Sequence, residues 1–258
     1  MQNESPPIRR VIGCPVTALP FDAQISLMLT WAKQRLSKTV CVANVHMLVE
    51  AYRNTGFAAV LRQSDIVTPD GMPLVWMLRC LGVANQDRIA GMDILVALCE
   101  QAPQQGVSIF FLGCQDAILD RMKQRLSREF PKLSIAGIEP LPFRPLTADE
   151  DETLVQRINE SGAGLVMVAL GCPKQETWIA QHRDRIHAVM IGLGGAFPVY
   201  AGVHKRAPRM MRSIGLEWLY RLAQEPRRLW SRYFDTIPIF VWLAFKQLLS
   251  PSQDIPES

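Results

Sequence analysis

Short apolar runs alternate with stretches of helical period along the first 200 residues of the chain. Val11–Leu19, Thr39–Ala43, Ile66–Thr68, Ser108–Leu112, Leu165–Leu170 and Ala188–Leu193 have the length and near-continuous hydrophobicity of buried strands. Between them, apolar residues recur at three- and four-residue spacing over Phe21–Leu36, Met47–Thr55, Leu74–Leu81, Asp93–Ala102, Ala117–Phe130, Asp149–Ser161 and Lys174–Arg185, which predicts helices. Strands separated by helices of this length need crossover connections. The pattern therefore predicts an α/β fold with a largely parallel sheet and helices on both faces.

Beyond Tyr200 the alternation stops. The reading is a domain over residues 1–200 and a C-terminal basic helical appendage over residues 201–258. The apolar run within Ile237–Leu249 is shorter than the ~20 residues that span a bilayer, and it contains Pro238. It either lies in a membrane interface or packs back on the domain or a neighbouring subunit. A polar tail, PSQDIPES, follows it.

Charge separates the two parts. Between Lys205 and Arg232 stand eight basic residues against two acids, Glu217 and Glu225. That net +6 lies in a chain whose total is +4, so the remainder carries −2. The arginines alternate with Trp218, Tyr220, Leu222, Trp230, Tyr233 and Phe234, a pattern that suits an interface with lipid headgroups, diphosphates or nucleic acid. The six cysteines form no CxxC pair and sit in apolar segments, which reads as buried free thiols in a reducing compartment. The N-terminus MQNESPPIRR lacks the plan of a signal peptide, so a cytosolic protein is expected.

Candidate chemistry lies in the loops after strands, where such sheets bind ligands. Asn44–His46 follows one strand, and TPDGMP, with Asp70, follows another. The turn GCPKQE (Gly171–Glu176) offers helix-start N–H groups to an anion. FFLGCQDA and IGLGGAF put Gly113, Gly194 and Gly195 at strand ends, where backbone can approach a ligand closely. There is no GxGxxG fingerprint with a spaced acid, no GxxxxGK[ST] and no HExxH, which argues against a dinucleotide oxidoreductase, a P-loop enzyme and a zincin. The four histidines are dispersed, and no DxD pair occupies a suitable loop, so no metal site and no cofactor are expected. The acids Asp149–Asp151 read as a helix start.

Taken together, TPDGMPLVW, DRIAGMD, FFLGC, VALGCPKQE, IGLGGAF, AGVHKRAPRMMR and GLEWLYRLAQEPRRLWSRY resemble the WecG/TagA/CpsF family of bacterial glycosyltransferases. They run in family order from about Asn44 to Tyr233. The resemblance implies a Rossmann-like fold and an inverting, metal-independent transfer from a UDP-sugar donor to a polyprenyl-diphosphate-linked sugar, in cell-surface polysaccharide synthesis. It implies Asp70 as general base, Arg88 beside the reacting groups, and Asn44 and Gln175 at the donor. Arg221, Arg228 and Arg232 are the implied carriers of the diphosphate. The implied setting is the inner face of the plasma membrane, bound peripherally, with no nucleic-acid partner and with a homo-oligomer among the family's states. Two departures fall at the donor end: Val42-Ala43-Asn44 lacks the family's threonine, and Pro198 stands where many members have an aspartate after GGAF. The alternative reading is a nucleotide-sugar-binding module without turnover.

Overall fold

A computed structural model describes residues 6–142 and 144–249. The first five residues and the polar tail read above lie outside the described residues. In chain order the elements are β1 (Ile8–Val11), β2 (Cys14–Thr17), α1 (Phe21–Lys33), β3 (Lys38–Ala43), α2 (Val45–Arg53), α3 (Thr55–Gln63), β4 (Ile66–Pro69) and α4 (Met72–Cys80). There follow α5 (Gly91–Gln101), β5 (Ile109–Gly113), α6 (Asp116–Glu129), β6 (Ile135–Glu139), α7 (Ala148–Glu160), β7 (Leu165–Ala169) and α8 (Lys174–Gln181). The remainder is β8 (Val189–Gly192), α9 (Ala196–Tyr200), α10 (Arg209–Ser213), α11 (Glu217–Gln224) and α12 (Pro226–Leu249).

Six strands form one sheet in the order β4-β3-β8-β7-β5-β6, with β3–β8, β8–β7, β7–β5 and β5–β6 all parallel. This is the α/β, Rossmann-like architecture that the alternation predicts. The chain divides into two compact units: the described parts of Met1–Phe21, Val42–Ala90 and Arg206–Ser258, and the part formed by Asp22–Cys41 and Gly91–Lys205. The basic C-terminal segment is thus grouped, from Arg206 onward, with the first unit.

In the second unit, β5, β7 and β8 are buried at every residue. Successive side chains on a strand point to opposite faces. Phe110, Leu112, Val166, Val168 and Met190 meet Leu154 and Ile158 of α7 and Ile179 of α8 in one core cluster. Phe111 points the other way, edge-on to Phe197 of α9 with ring centroids 6.0 Å apart. Helices on both faces explain why these strands read as continuous apolar runs instead of alternating ones. Strand β6 escapes the sequence pattern because it is a half-buried edge whose centre, Gly137, has no side chain. A Cβ there would lie 2.3 Å from the Phe110 ring, so the glycine makes room for that phenylalanine.

In the first unit, the segment expected as one strand from Val11 to Leu19 is an antiparallel hairpin with Val11 opposite Cys14. Ile12 (φ 44°) and Gly13 (φ 84°) form its two-residue turn, both in the left-handed region that such turns require. Helix α3, also unpredicted, starts where Asn54 accepts a hydrogen bond from Phe57 N at 3.0 Å. Helix α12 continues through Pro238 and packs on α2, burying Leu229, Thr236, Phe240 and Ala244. Near its end Gln247 is hydrogen-bonded to both edges of the hairpin turn, accepting from Ile12 N (2.8 Å) and donating to Arg10 O (2.6 Å). All six cysteines are free thiols; Cys14, Cys41 and Cys99 are buried, while Cys80 is exposed, contrary to the buried reading for that residue.

Gly164, in the turn before β7, is pressed against α1: a Cβ would stand 2.6 Å from Ala32 O and 3.0 Å from Val107 Cγ1. Backbone cannot yield as a side chain can, so Gly164→Ala is expected to cost about 1–3 kcal/mol, read from urea unfolding midpoints.

Candidate active site

In the first unit, backbone hydrogen bonds extend the strand contacts past the strand ends and so set the loops. Asp70 N donates to Ala43 O at 2.7 Å, which places the turn after β4 beside the turn after β3. Ile89 N donates to Pro69 O at 2.9 Å, which brings the Arg88 segment alongside in turn. Gly71, at φ +124° and N-terminal to α4, turns the chain sharply away and leaves Asp70 at the corner. Asn44, Asp70 and Arg88 are therefore neighbours in the fold although 44 positions separate the first from the last.

Asn44 caps α2, its Oδ1 accepting from Met47 N at 3.2 Å. Asp70 keeps 26% of its side chain exposed, while Arg88 keeps 13%. Arg88 Nη1 stands 3.7 Å from Asp70 Oδ1 and donates to Glu217 Oε2 at 2.8 Å. The guanidinium thus lies between two carboxylates. Glu217 had not been assigned a site role; its signal was its place as one of only two acids in the basic segment.

The three arginines expected at a diphosphate come together. Arg221, Arg228 and Arg232 all act electrostatically on Tyr233, whose hydroxyl burial pushes up and whose arginine neighbours pull down. Tyr233 meets Trp218 edge-on, with centroids 5.8 Å apart. Arg228 is gripped by Glu225 through two contacts, Nε to Oε2 at 2.6 Å and Nη2 to Oε1 at 2.8 Å. Arg232 also bears on His46 at the start of α2. His46 Nδ1 is buried with no hydrogen-bond partner, and Glu50 Oε1 stands 3.9 Å away. Burial first, then Arg232 and Arg53, lower the His46 pKa from 6.5 to about 4.

In the second unit, glycines let two loops close at the strand ends. A Cβ on Gly113, at φ +91°, would lie 2.7 Å from Ala169 O. Gln175, expected at the donor, is only 6% exposed. Its Oε1 accepts from Gly171 N and Gly194 N, each at 3.1 Å, and its Nε2 donates to Glu176 Oε1 at 2.7 Å. The amide ties the GCPKQE turn to the LGG turn. Cβ atoms on Gly192 and Gly194 would fall 2.9 and 2.6 Å from it. Glu176 is fully buried, and that burial raises its carboxyl pKa. Gly195, at φ −75°, is the N-terminal cap position of α9 and uses no conformation special to glycine. A hollow of about 470 Å³ between α6 and Ala201, lined by Arg121, Arg125 and Arg128, contains none of the expected residues. Among the described residues no three His, Cys, Asp or Glu side chains gather as they would around a metal ion.

Comparison with known proteins agrees with the motifs. The model of a family described as "Glycosyl transferase WecG/TagA/CpsF family" matches residues 9–254. Over 239 residues the chain is 33% identical to the N-acetylglucosaminyldiphosphoundecaprenol N-acetyl-beta-D-mannosaminyltransferase of Bacillus spizizenii, covering 90% of each sequence.

The lowered His46 pKa has a consequence for stability. As pH falls, the unfolded chain protonates this histidine near 6.5, before the folded chain does near 4. The contribution is thus present above about 6.5 and is lost as pH falls towards 4, up to about 3 kcal/mol in all. In His46→Gln the difference in urea-unfolding free energy between pH 7 and pH 4.5 should shrink by about 2 kcal/mol. An unchanged difference would show that His46 does not titrate in this way.

Proposed function

The chain belongs to the glycosyl transferase WecG/TagA/CpsF family and is a glycosyltransferase; on that premise we propose that it moves a hexose or N-acetylhexosamine-type sugar from a UDP-sugar to a polyprenyl-diphosphate-linked sugar, with inversion and without a metal. The observation that carries the reading is the corner after β4, where Asp70 stands beside Arg88 on a turn held by backbone hydrogen bonds. The relative's name supports the class of acceptor, since that protein acts on a sugar carried by diphosphoundecaprenol.

An inverting displacement needs a base on the acceptor hydroxyl, opposite the leaving group. Asp70 takes that proton as the hydroxyl oxygen bonds to the anomeric carbon and the bond to the UDP oxygen breaks. Negative charge then develops on the departing diphosphate. Fixed cationic donors and helix-start N–H groups stabilise such charge best when they are oriented beforehand. The Gly171–Glu176 turn, with the LGG turn bearing Gly194 and Gly195, and Gly113 serve the donor; Asn44 serves it from the start of α2. Arg221, Arg228 and Arg232 serve the diphosphate of the lipid acceptor.

No helix among the described residues is long and apolar enough to cross a membrane. Helix α12 nevertheless shows Trp230, Phe234, Val241, Trp242, Phe245 and Leu249 to solvent, on the side away from its buried residues. An exposed apolar face on a basic helix suits peripheral attachment to an anionic bilayer, and we place the protein on the inner surface of the plasma membrane.

Two measurements test these readings. Asp70→Asn should lower transfer at least about 100-fold while donor affinity stays near that of the wild type. Near-normal turnover would remove Asp70 as the base. Replacing Trp230, Phe234, Trp242 and Phe245 together by serine should reduce co-sedimentation with anionic liposomes about tenfold or more, with the circular dichroism of the protein unchanged. Undiminished sedimentation would contradict membrane docking through this face.

A further inference from the structure

Positive charge on α6 is gathered on one side. Arg121, Arg125 and Arg128 follow at spacings of four and three residues, so their side chains share one face of the helix. Like charges at that spacing weaken a helix, and within the trio only Arg125 has a carboxylate to offset this, Glu129 one turn further on. Among the described residues no ion pair engages Arg121 or Arg128, and both are exposed. The three arginines line the hollow of about 470 Å³ beside Ala201, together with Gln124 and Glu129, and all of these residues belong to the second unit. One arginine is fixed in advance. Arg125 donates from Nε to Glu129 Oε1 and from Nη1 to Tyr200 O, each at 2.8 Å, and its guanidinium lies 4.6 Å from the centre of the Tyr200 ring. The Tyr200 hydroxyl donates to the other Glu129 oxygen at 3.0 Å.

We propose that this hollow is an anion site for a phosphate-bearing ligand, separate from the turns assigned to the donor. Three guanidinium groups against the one carboxylate of Glu129 leave +2, which matches the charge of a phosphate dianion. A guanidinium fork meets phosphate oxygens through parallel N–H donors, and the Gln124 amide adds another donor. Arg125 presents a charge already held in place, and the long Arg121 and Arg128 side chains beside it are able to close on the ligand. Among the described residues that line the hollow only Ala201 is apolar and none is aromatic, so recognition falls on the charged group and not on a base or a sugar. A free phosphate or diphosphate and the headgroup of a phospholipid share this chemistry.

The test titrates three proteins with inorganic diphosphate by calorimetry in a low-salt chloride buffer: the wild type, Arg121→Gln with Arg128→Gln, and Lys123→Gln with Lys132→Gln. The arginine variant leaves Arg125 with its Tyr200 and Glu129 contacts. The lysine variant removes the same charge from the same region of the chain but from outside the hollow. Glutamine is a good helix former, so the circular dichroism and melting temperature of both variants should match those of the wild type. The wild type and the lysine variant should show a binding event that the arginine variant lacks, or shows with affinity about tenfold lower or less. Co-sedimentation of the same proteins with phosphatidylglycerol vesicles separates the two sources. A deficit of the arginine variant in the titration assigns the site to a free ligand, and a deficit confined to the vesicles assigns it to a lipid phosphate. An arginine variant that equals the wild type in both assays overturns the proposal, as does a lysine variant that loses as much as the arginine variant.

Discussion

Burial of the central strands on both faces governs what the rest of the molecule can do. With β5, β7 and β8 enclosed along their whole length, a polar side chain on any of them would lose water without a partner. Chemistry is therefore confined to the loops past the strand ends. Those loops must be tight, because neighbouring strand ends are less than 5 Å apart in the hydrogen-bonding direction. Gly113 passes so close to Ala169 O that no side chain fits, and Gly192 and Gly194 are closed off by Gln175. The buried Gln175 amide answers the same constraint. Two backbone N–H groups at these turns need an acceptor, and one side-chain oxygen supplies it to both.

The first unit reaches a similar result by different means. Its loops after β3 and β4 are locked by main-chain bonds, Asp70 N to Ala43 O and Ile89 N to Pro69 O. Such bonds depend little on side-chain identity. Val42 can therefore stand in place of the family's threonine without moving Asp70. The departure removes a hydroxyl, while the backbone that positions the Asp70 carboxylate is retained.

This also explains which features could be read from the residues alone. Strands buried on both faces and the helices between them leave long apolar signals, so the order of the sheet's elements was largely legible. The edge strand β6 was not, since Gly137 and its half-buried neighbours interrupt the pattern. The β1–β2 hairpin was missed because Ile12-Gly13 is not a strong turn signal: Ile12 adopts a left-handed φ that isoleucine rarely takes. Asp70 was visible because an acid before glycine at a strand end stands out, and Arg88 through its motif. The partnership of Arg88 with Glu217 spans 129 positions and no local pattern encodes it. The inward turn of Gln175 was equally hidden, for residue type and loop position are the same whether the amide faces ligand or interior.

The two acids of the basic segment give the proposed chemistry its last physical element. Glu217 holds Arg88 and Glu225 holds Arg228, so each acid grips an arginine assigned to the reaction. Like charges crowded around Tyr233 would otherwise repel one another and spread their guanidinium groups into water. The Glu225 carboxylate on Arg228 offsets part of that repulsion and fixes the orientation of its fork. Under the proposed function, a diphosphate would meet cationic groups already held in place, which reduces reorientation at the moment of reaction. Concentrated positive charge is easier to hold in one geometry when it is partly neutralised, and Glu225 does this for Arg228.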